Sequence, residues 1–341
     1  MTVFCNRNKK NSVLLGASPA ADNDSYYHYD IFDDDTIIKV LQIFVPKYIF
    51  NDSFSSYSST LPVTIYTVNL WLEQHMELYA DVLHENNVET KFAVNFISNK
   101  SRLNRFLTIK MVELFDLDTN YSWSGIGREF DMHHVINEIK YLENNNRNFL
   151  TATEQSFLLA PIQLPAHWIE HPNNVFTSGQ VENYGTNRWT WDNGLNKIFL
   201  SSAVSLITES IDTQKAIQFS EKTVYAMLGL TFPIWIGGYA QAEFWSKYGF
   251  DTFNDIIDHS YQYYETSIER CWYAIKFNID LLKDKDQLAL LRKTHMGRLK
   301  HNQDLLHTDC FYRHHNKVMQ SWPNSAQQDF APILESYRKP E

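Results

Sequence analysis

Cysteine is scarce in this 341-residue chain: three residues, at positions 5, 271 and 310, form no CxxC pair and leave an odd count. That pattern favours a reducing compartment over a disulfide framework. Long apolar runs are also missing. No segment approaches the roughly 18 consecutive apolar residues that a membrane-spanning helix needs. Asn6-Arg7-Asn8-Lys9-Lys10 precedes only a brief apolar stretch, which does not read as a signal peptide. The expectation is a cytoplasmic protein with no membrane partner. An excess of basic residues is lacking too: 30 Lys and Arg stand against 40 Asp and Glu, a net charge of −10. Binding nucleic acid by bulk charge requires clustered cations, so that class is disfavoured, although a local basic groove stays open. No internal repeat or low-complexity tract is present.

What the chain does contain is ordinary for a folded soluble protein, 44% hydrophobic and 21% charged, with many aromatics (22 Phe and 19 Tyr). Its length exceeds what one core usually serves, and two domains are expected.

The stretch Gln218–Asp258 organises the rest. Ser220-Glu221-Lys222-Thr223 opens a helix, with the acid in the first turn where the helix dipole favours it. Val224, Met227 and Leu228 recur at helical spacing until Gly229 stops the run. Phe232 to Ile236 is then a short apolar run closed by Gly237-Gly238, the pattern of a buried parallel strand. In open α/β sheets, ligands sit at the carboxyl ends of the strands and against helix N-termini. Glu221 and Lys222 thus stand where a diphosphate would be held. The residues alone leave a second reading: a dipole-favoured acid and a solvated lysine.

A second βα unit begins at Lys91. Phe92 to Ile97 reads as a strand, Ser98 to Arg105 as a polar, basic loop, and Phe106 to Phe115 as a helix. Tyr121 to Gly125 is expected to be the next strand, and Val204 to Thr208 a buried strand ending in Glu209-Ser210. Arginine suits a diphosphate because its planar fork grips two oxygens at once. Asp116-Leu117-Asp118 follows a helix rather than a strand, so it reads as a helix end and not as a metal site. His133-His134 and His314-His315 are adjacent pairs, which point to different faces of a helix and do not chelate. Residues 128–194 are the least readable.

Upstream, Ser12 to Gly16 reads as a strand, followed by a polar loop carrying Asp22, Asp24 and His28 among tyrosines. Asp33-Asp34-Asp35-Thr36 caps an expected helix over Ile37 to Phe44. Val63 to Val68 reads as a strand and Leu70 to Leu83 as a helix. Beyond Asp258, Tyr261 to Asn278 and Asp286 to Leu306 carry helical periodicity.

Ser220-Glu221-Lys222, the hydrophobic helix, the Pro-containing strand, Gly-Gly, and Gly249-Phe250 with Phe253-Asp255-Ile256-Ile257-Asp258 resemble the donor-binding motif of fucosyltransferase-like glycosyltransferases, here as a cytosolic viral or bacterial member. Ser98-Asn99 followed by an arginine at a helix start is similar to a second motif of that family. The resemblance spans about Phe92 to Asp258 without its variable middle. It implies the GT-B architecture: two Rossmann-like domains facing a cleft, with a helical C-terminal segment. On that basis residues 1–90 form the acceptor-side domain, 91–275 the donor-binding domain, and 276–341 helices packing back on the first. It implies transfer of a sugar from a nucleotide-sugar donor (UDP- or GDP-linked) to a hydroxyl, without metal or other cofactor and with inversion. Donor contacts fall to Asn99, Arg105 with Arg102 as its neighbour, Glu209, Ser210, Gln218, Ser220, Glu221 and Lys222. Ser210 departs from the commoner Asn of the family. The base would come from Asp22, Asp24 or His28 across the cleft. The acceptor is a glycan, a small molecule or a hydroxymethylated base in DNA. Two rivals are a catalytically inactive nucleotide- or sugar-binding protein on the same fold, and a helical interaction module over residues 260–341.

Overall fold

The computed structural model describes residues 2–5, 14–15, 48–51, 54–55, 64–67, 79, 81–82, 88–98, 102–123, 132–160, 162, 191–209, 216–217, 221–237, 239–308 and 310–322, with scattered positions beyond. The strands before residue 79 are described by their backbone pairing. They are β1 (Thr2–Cys5), β2 (Leu14–Leu15), β3 (Tyr48–Asn51), β4 (Phe54–Ser55) and β5 (Thr64–Thr67). One sheet has the order β2-β1-β3-β5; β1, β3 and β5 run parallel and β2 is antiparallel at the edge. The expected strands over Ser12 to Gly16 and Val63 to Val68 are therefore present, and β1 and β3 are additional. The expected helix over Ile37 to Phe44 lies outside the described residues, as does most of Leu70 to Leu83.

The second sheet is parallel throughout. It is built from β6 (Phe92–Ser98), β7 (Thr119–Trp123), β8 (Ser202–Thr208) and β10 (Phe232–Ile236), in the order β10-β8-β6-β7. A short β9 (Ala216–Ile217), between β8 and the next helix, pairs antiparallel with β4 and ties the early part of the chain to this edge. From β6 the chain moves outward to β7, then returns to the other side of β6 for β8 and β10. The strand order reverses between β6 and β8.

Helices cover both faces. After β6 comes α1 (Leu103–Leu114), and after β7 come α2 (His133–Asn144) and α3 (Ala152–Leu159). A π-type turn at Trp191–Leu195 runs into α4 (Asn196–Leu200), which precedes β8. Between β8 and β10 lies α5 (Glu221–Leu228), and after β10 lies α6 (Gln241–Lys247). The C-terminal helices are α7 (Ser267–Lys276), α8 (Ile279–Lys283), α9 (Lys285–Thr294), α10 (Met296–Leu306) and α11 (Cys310–Met319). All-buried strands such as β8 and β10 are what a parallel sheet covered on both faces demands, and their near-continuous apolar sequence made them readable. Val94, Phe96, Val204, Leu206, Ile234 and Ile236 pack with α1 and α7, while Ile97, Ile207 and Trp235 pack with α4, α5 and α6.

Several boundaries differ from expectation. The first helix of this unit starts at Leu103 rather than Phe106, so Arg105 sits inside its first turn. The expected strand at Tyr121 to Gly125 lies two residues earlier. Gly229 does end α5, but the left-handed residue is Leu230, at φ 53°. Gly229 is required for another reason: a Cβ there would lie 2.3 Å from Cβ of Phe199. The two C-terminal runs are broken, with a 3-10 turn at Ser260–Tyr263 ahead of α7 and a break at His295 between α9 and α10.

The C-terminal helices belong to the second sheet's core. Arg292 of α9 is buried and donates to the carbonyls of Leu230, Leu200, Phe199 and Gly229, with the Thr90 hydroxyl also in reach. Those groups lie just ahead of β6, β8 and β10, and two of the segments are helix C-termini, whose dipoles favour a cation. One guanidinium thus gathers the amino edge of the sheet.

Candidate functional site

Buried polar side chains collect at the opposite, carboxyl edge. Ser98, Asn104, Arg105, Thr208, Glu209, Lys222, Thr223 and Gln241 are all nearly enclosed there. Burying polar groups costs free energy unless each finds a partner, so such a cluster must be held by specific bonds.

Glu209, the residue after β8, is the hub. Its carbonyl accepts from Nδ2 of Asn104 at 2.9 Å, and the same amide donates to the carbonyl of Ile236 at 3.2 Å. Its carboxylate accepts from the Thr223 hydroxyl at 3.2 Å, which itself accepts from the Trp235 indole N–H at 3.1 Å. Asn104 is in the first turn of α1 on one face, and Thr223 in the first turn of α5 on the other. Glu209 therefore joins the starts of the two helices that follow the adjacent strands β6 and β8. Gly237, at the end of β10, leaves room for this arrangement: a Cβ there would stand 3.1 Å from Cβ of Glu209.

Arg105 and Lys222 each neighbour one of those clasping residues in sequence. Arg105 is buried in α1, and Lys222 is buried in α5, with Nζ 3.6 Å from the Glu221 carboxylate. That separation is an ion pair without hydrogen-bond closeness. Glu221 is the first-turn acid of α5, as its sequence position leads one to expect. Behind it, Tyr225 lies in an aromatic cluster, stacked on Trp191 with ring centroids 5.6 Å apart. Its hydroxyl accepts from Tyr79 at 3.1 Å, and burial first, then the Tyr79 and Glu221 charges, push its phenol well above the usual range.

The sequence-derived site divides accordingly. Arg105, Glu209, Glu221 and Lys222 lie on the segments that leave the carboxyl ends of β6 and β8, with Lys222 paired to Glu221; Arg102 is half-buried just ahead of α1. Glu209 is enclosed and holds the scaffold together rather than lining a surface. Asn99, Ser210, Gln218 and Ser220, and the base candidates Asp22, Asp24 and His28, lie outside the described residues. Asn104, Thr223 and Gln241 were missed, because polar residues inside helix starts read as caps or surface until the sheet edge is assembled.

Other sequence features fall elsewhere. Asp116 and Asp118 sit at the amino end of β7, away from this edge, with Asp118 paired to Lys285 at 3.3 Å. Gly249–Asp258 acts as an anchor: Arg298 of α10 binds Asp251 and Asp255 and lies over the Phe253 ring, while Asn302 and Asn278 hold the backbone of Asp251 and Asp258. His133 and His134 are exposed on α2, and His315 is buried on α11.

Fold and site define an α/β protein whose parallel sheet carries a buried, charged cluster at the point where strand order reverses, where Rossmann-like sheets bind ligands. Comparison with protein-family models, curated proteins and solved structures gives no match. Among the described residues no helix is long and apolar enough to cross a membrane.

Proposed function

We propose that the chain is a nucleotide-sugar-dependent glycosyltransferase of GT-B architecture, resembling the fucosyltransferase-like enzymes. The observation that carries this reading is the placement of two buried cations, Arg105 and Lys222, in the first turns of α1 and α5. Those turns are drawn together through Glu209 at the carboxyl ends of adjacent parallel strands.

Glycosyl transfer requires that charge be stabilised on the departing nucleoside diphosphate. A guanidinium, an ammonium and a helix N-terminus in a water-poor site supply this electrostatically, so the chemistry needs no metal. On donor binding, the diphosphate takes the place of the Glu221 carboxylate at Lys222. Glu221 is then released to accept from donor hydroxyls. The acceptor oxygen attacks the anomeric carbon from the face opposite the diphosphate, giving inversion, and a carboxylate or imidazole from the Asp22, Asp24 and His28 loop takes its proton. The acceptor is a hydroxyl of a glycan or small molecule, or of a hydroxymethylated DNA base. An inactive binding protein on the same fold would bind the nucleotide without turnover.

The test is a panel of UDP- and GDP-sugars followed by thermal unfolding. A true donor at 100 times its dissociation constant adds about 2.7 kcal/mol of stability. Absence of any shift, and of any sugar nucleotide hydrolysis or transfer, would sink the reading.

A further inference from the structure

Past the diphosphate cluster, the same sheet edge carries two exposed tyrosines. Tyr239 lies in the connection that leaves β10, between Gly237, which abuts Glu209, and the buried Gln241; it is 42% exposed. Tyr263 ends the 3-10 turn Ser260–Tyr263 and is 51% exposed. Two bonds fix that turn to β10 and to the start of α6. The side-chain oxygen of Gln262 accepts from the Ala242 N–H at 3.0 Å, and the Tyr261 hydroxyl donates to the Trp235 carbonyl at 3.0 Å.

The rings meet edge to face, with centroids 5.1 Å apart and planes at 86°. The Glu243 carboxylate, paired with Lys247 at 3.0 Å, lies near the Tyr263 phenol, and burial first and then that charge raise the phenol's pKa. Each ring is thus held in place by a neighbour while keeping much of its surface in water. An edge-to-face pair cannot cover both ring faces, so a fixed, flat apolar surface is presented beside polar groups. Ordering these side chains has already been achieved in the fold, which lowers the entropy lost when a ligand stacks on them.

We propose that Tyr239 and Tyr263 form a stacking platform for a neutral pyranose ring, the acceptor sugar if the transferase reading holds. A pyranose offers a face of C–H groups to an aromatic ring and hydroxyls around its rim, which Glu243 and Lys247 can bond. The Glu243 carboxylate beside the platform repels a polyanion, as does the net charge of −10, so a DNA acceptor fits this surface poorly.

Saturation-transfer NMR with the methyl pyranosides of glucose, galactose, mannose and N-acetylglucosamine tests this on the full chain. At least one should receive saturation on its ring C–H protons. Tyr239→Ala and Tyr263→Ala should weaken that binding about tenfold, the loss of one stacked ring, whereas Tyr239→Phe and Tyr263→Phe should retain it. No transfer to any pyranoside, or equal transfer in Tyr239→Ala, overturns the platform. Calorimetric titration with UDP and GDP separates it from the donor site. Unchanged nucleotide affinity in Tyr239→Ala supports an acceptor role, and lost nucleotide affinity assigns the rings to the donor base and overturns it. If the wild-type chain binds neither nucleotide, the transferase reading fails, while the saturation-transfer result still decides the platform.

Discussion

At the scale of single residues, the proposed reaction depends on the cations of α1 and α5, whose sequence neighbours Asn104 and Thr223 are bonded to Glu209. Replacing Arg105 or Lys222 by Ala should lower kcat/KM by about 10²–10³-fold, the usual loss when one oriented donor to a developing charge is removed. Because Arg105 is buried, Arg105→Lys should be measured beside it. Lysine keeps the charge but not the fork, and an intermediate rate with an unchanged melting temperature separates catalysis from folding. His259 makes a different prediction. It is buried, Nε2–H donates to the Thr252 carbonyl at 2.8 Å, and burial lowers its pKa to about 4, against the opposing Thr252 bond and Asp258 charge. The unfolded chain binds the proton near pH 6.5 and the folded chain only near 4, so the unfolded state holds more protons between those values. This contribution is complete above about pH 6.5 and is lost as pH falls towards 4, by about 3 kcal/mol at most. His315, lowered to about 3 by burial and by His314, acts in the same direction. Urea midpoints measured from pH 7 to 4.5 should fall less steeply in His259→Gln than in the native chain.

At the scale of elements, some boundaries were legible and others were not. Thr266 caps α7 through a reciprocal box: its hydroxyl accepts from the Glu269 N–H at 3.2 Å, and the Glu269 carboxylate accepts from the Thr266 N–H at 3.1 Å. The same carboxylate binds Arg147, which fastens the loop after α2. Thr266→Ala should cost about 1 kcal/mol, read as a shift in the urea midpoint at constant slope. That cap divides Tyr261 to Asn278 into two elements, although apolar spacing alone runs through it. Gly229 shows the converse. Its place at a helix end was plain, but the reason, contact with Phe199 of α4, depends on a residue thirty positions away. Likewise α1 begins three residues before its first aromatic, because Asn104 is needed at the sheet edge to hold the carbonyls of Glu209 and Ile236.

At the scale of the molecule, the two edges of the parallel sheet do different work. The carboxyl edge gathers Glu209, Arg105 and Lys222. The amino edge is closed by Arg292, whose guanidinium burial lowers to about 9, still cationic at neutral pH. Arg292→Met should destabilise the fold by about 3–5 kcal/mol, since it strips several buried carbonyls of their donor; chemical denaturation measures it. Because α9 and α10 complete this core, the C-terminal third does not stand apart as an interaction module.

By itself the sequence determined the parallel strands β6, β8 and β10, the helix α5 between two of them, and the place of Glu221 and Lys222 in that helix's first turn. Uniform apolar runs and helical spacing are local properties, written in neighbouring residues. Only the tertiary structure decided that Asn104 and Thr223 meet at Glu209, that Asp116 and Asp118 fall at the wrong edge, and that Arg292 serves three strands. Those outcomes depend on strand order, and strand order is set by how distant segments share one core.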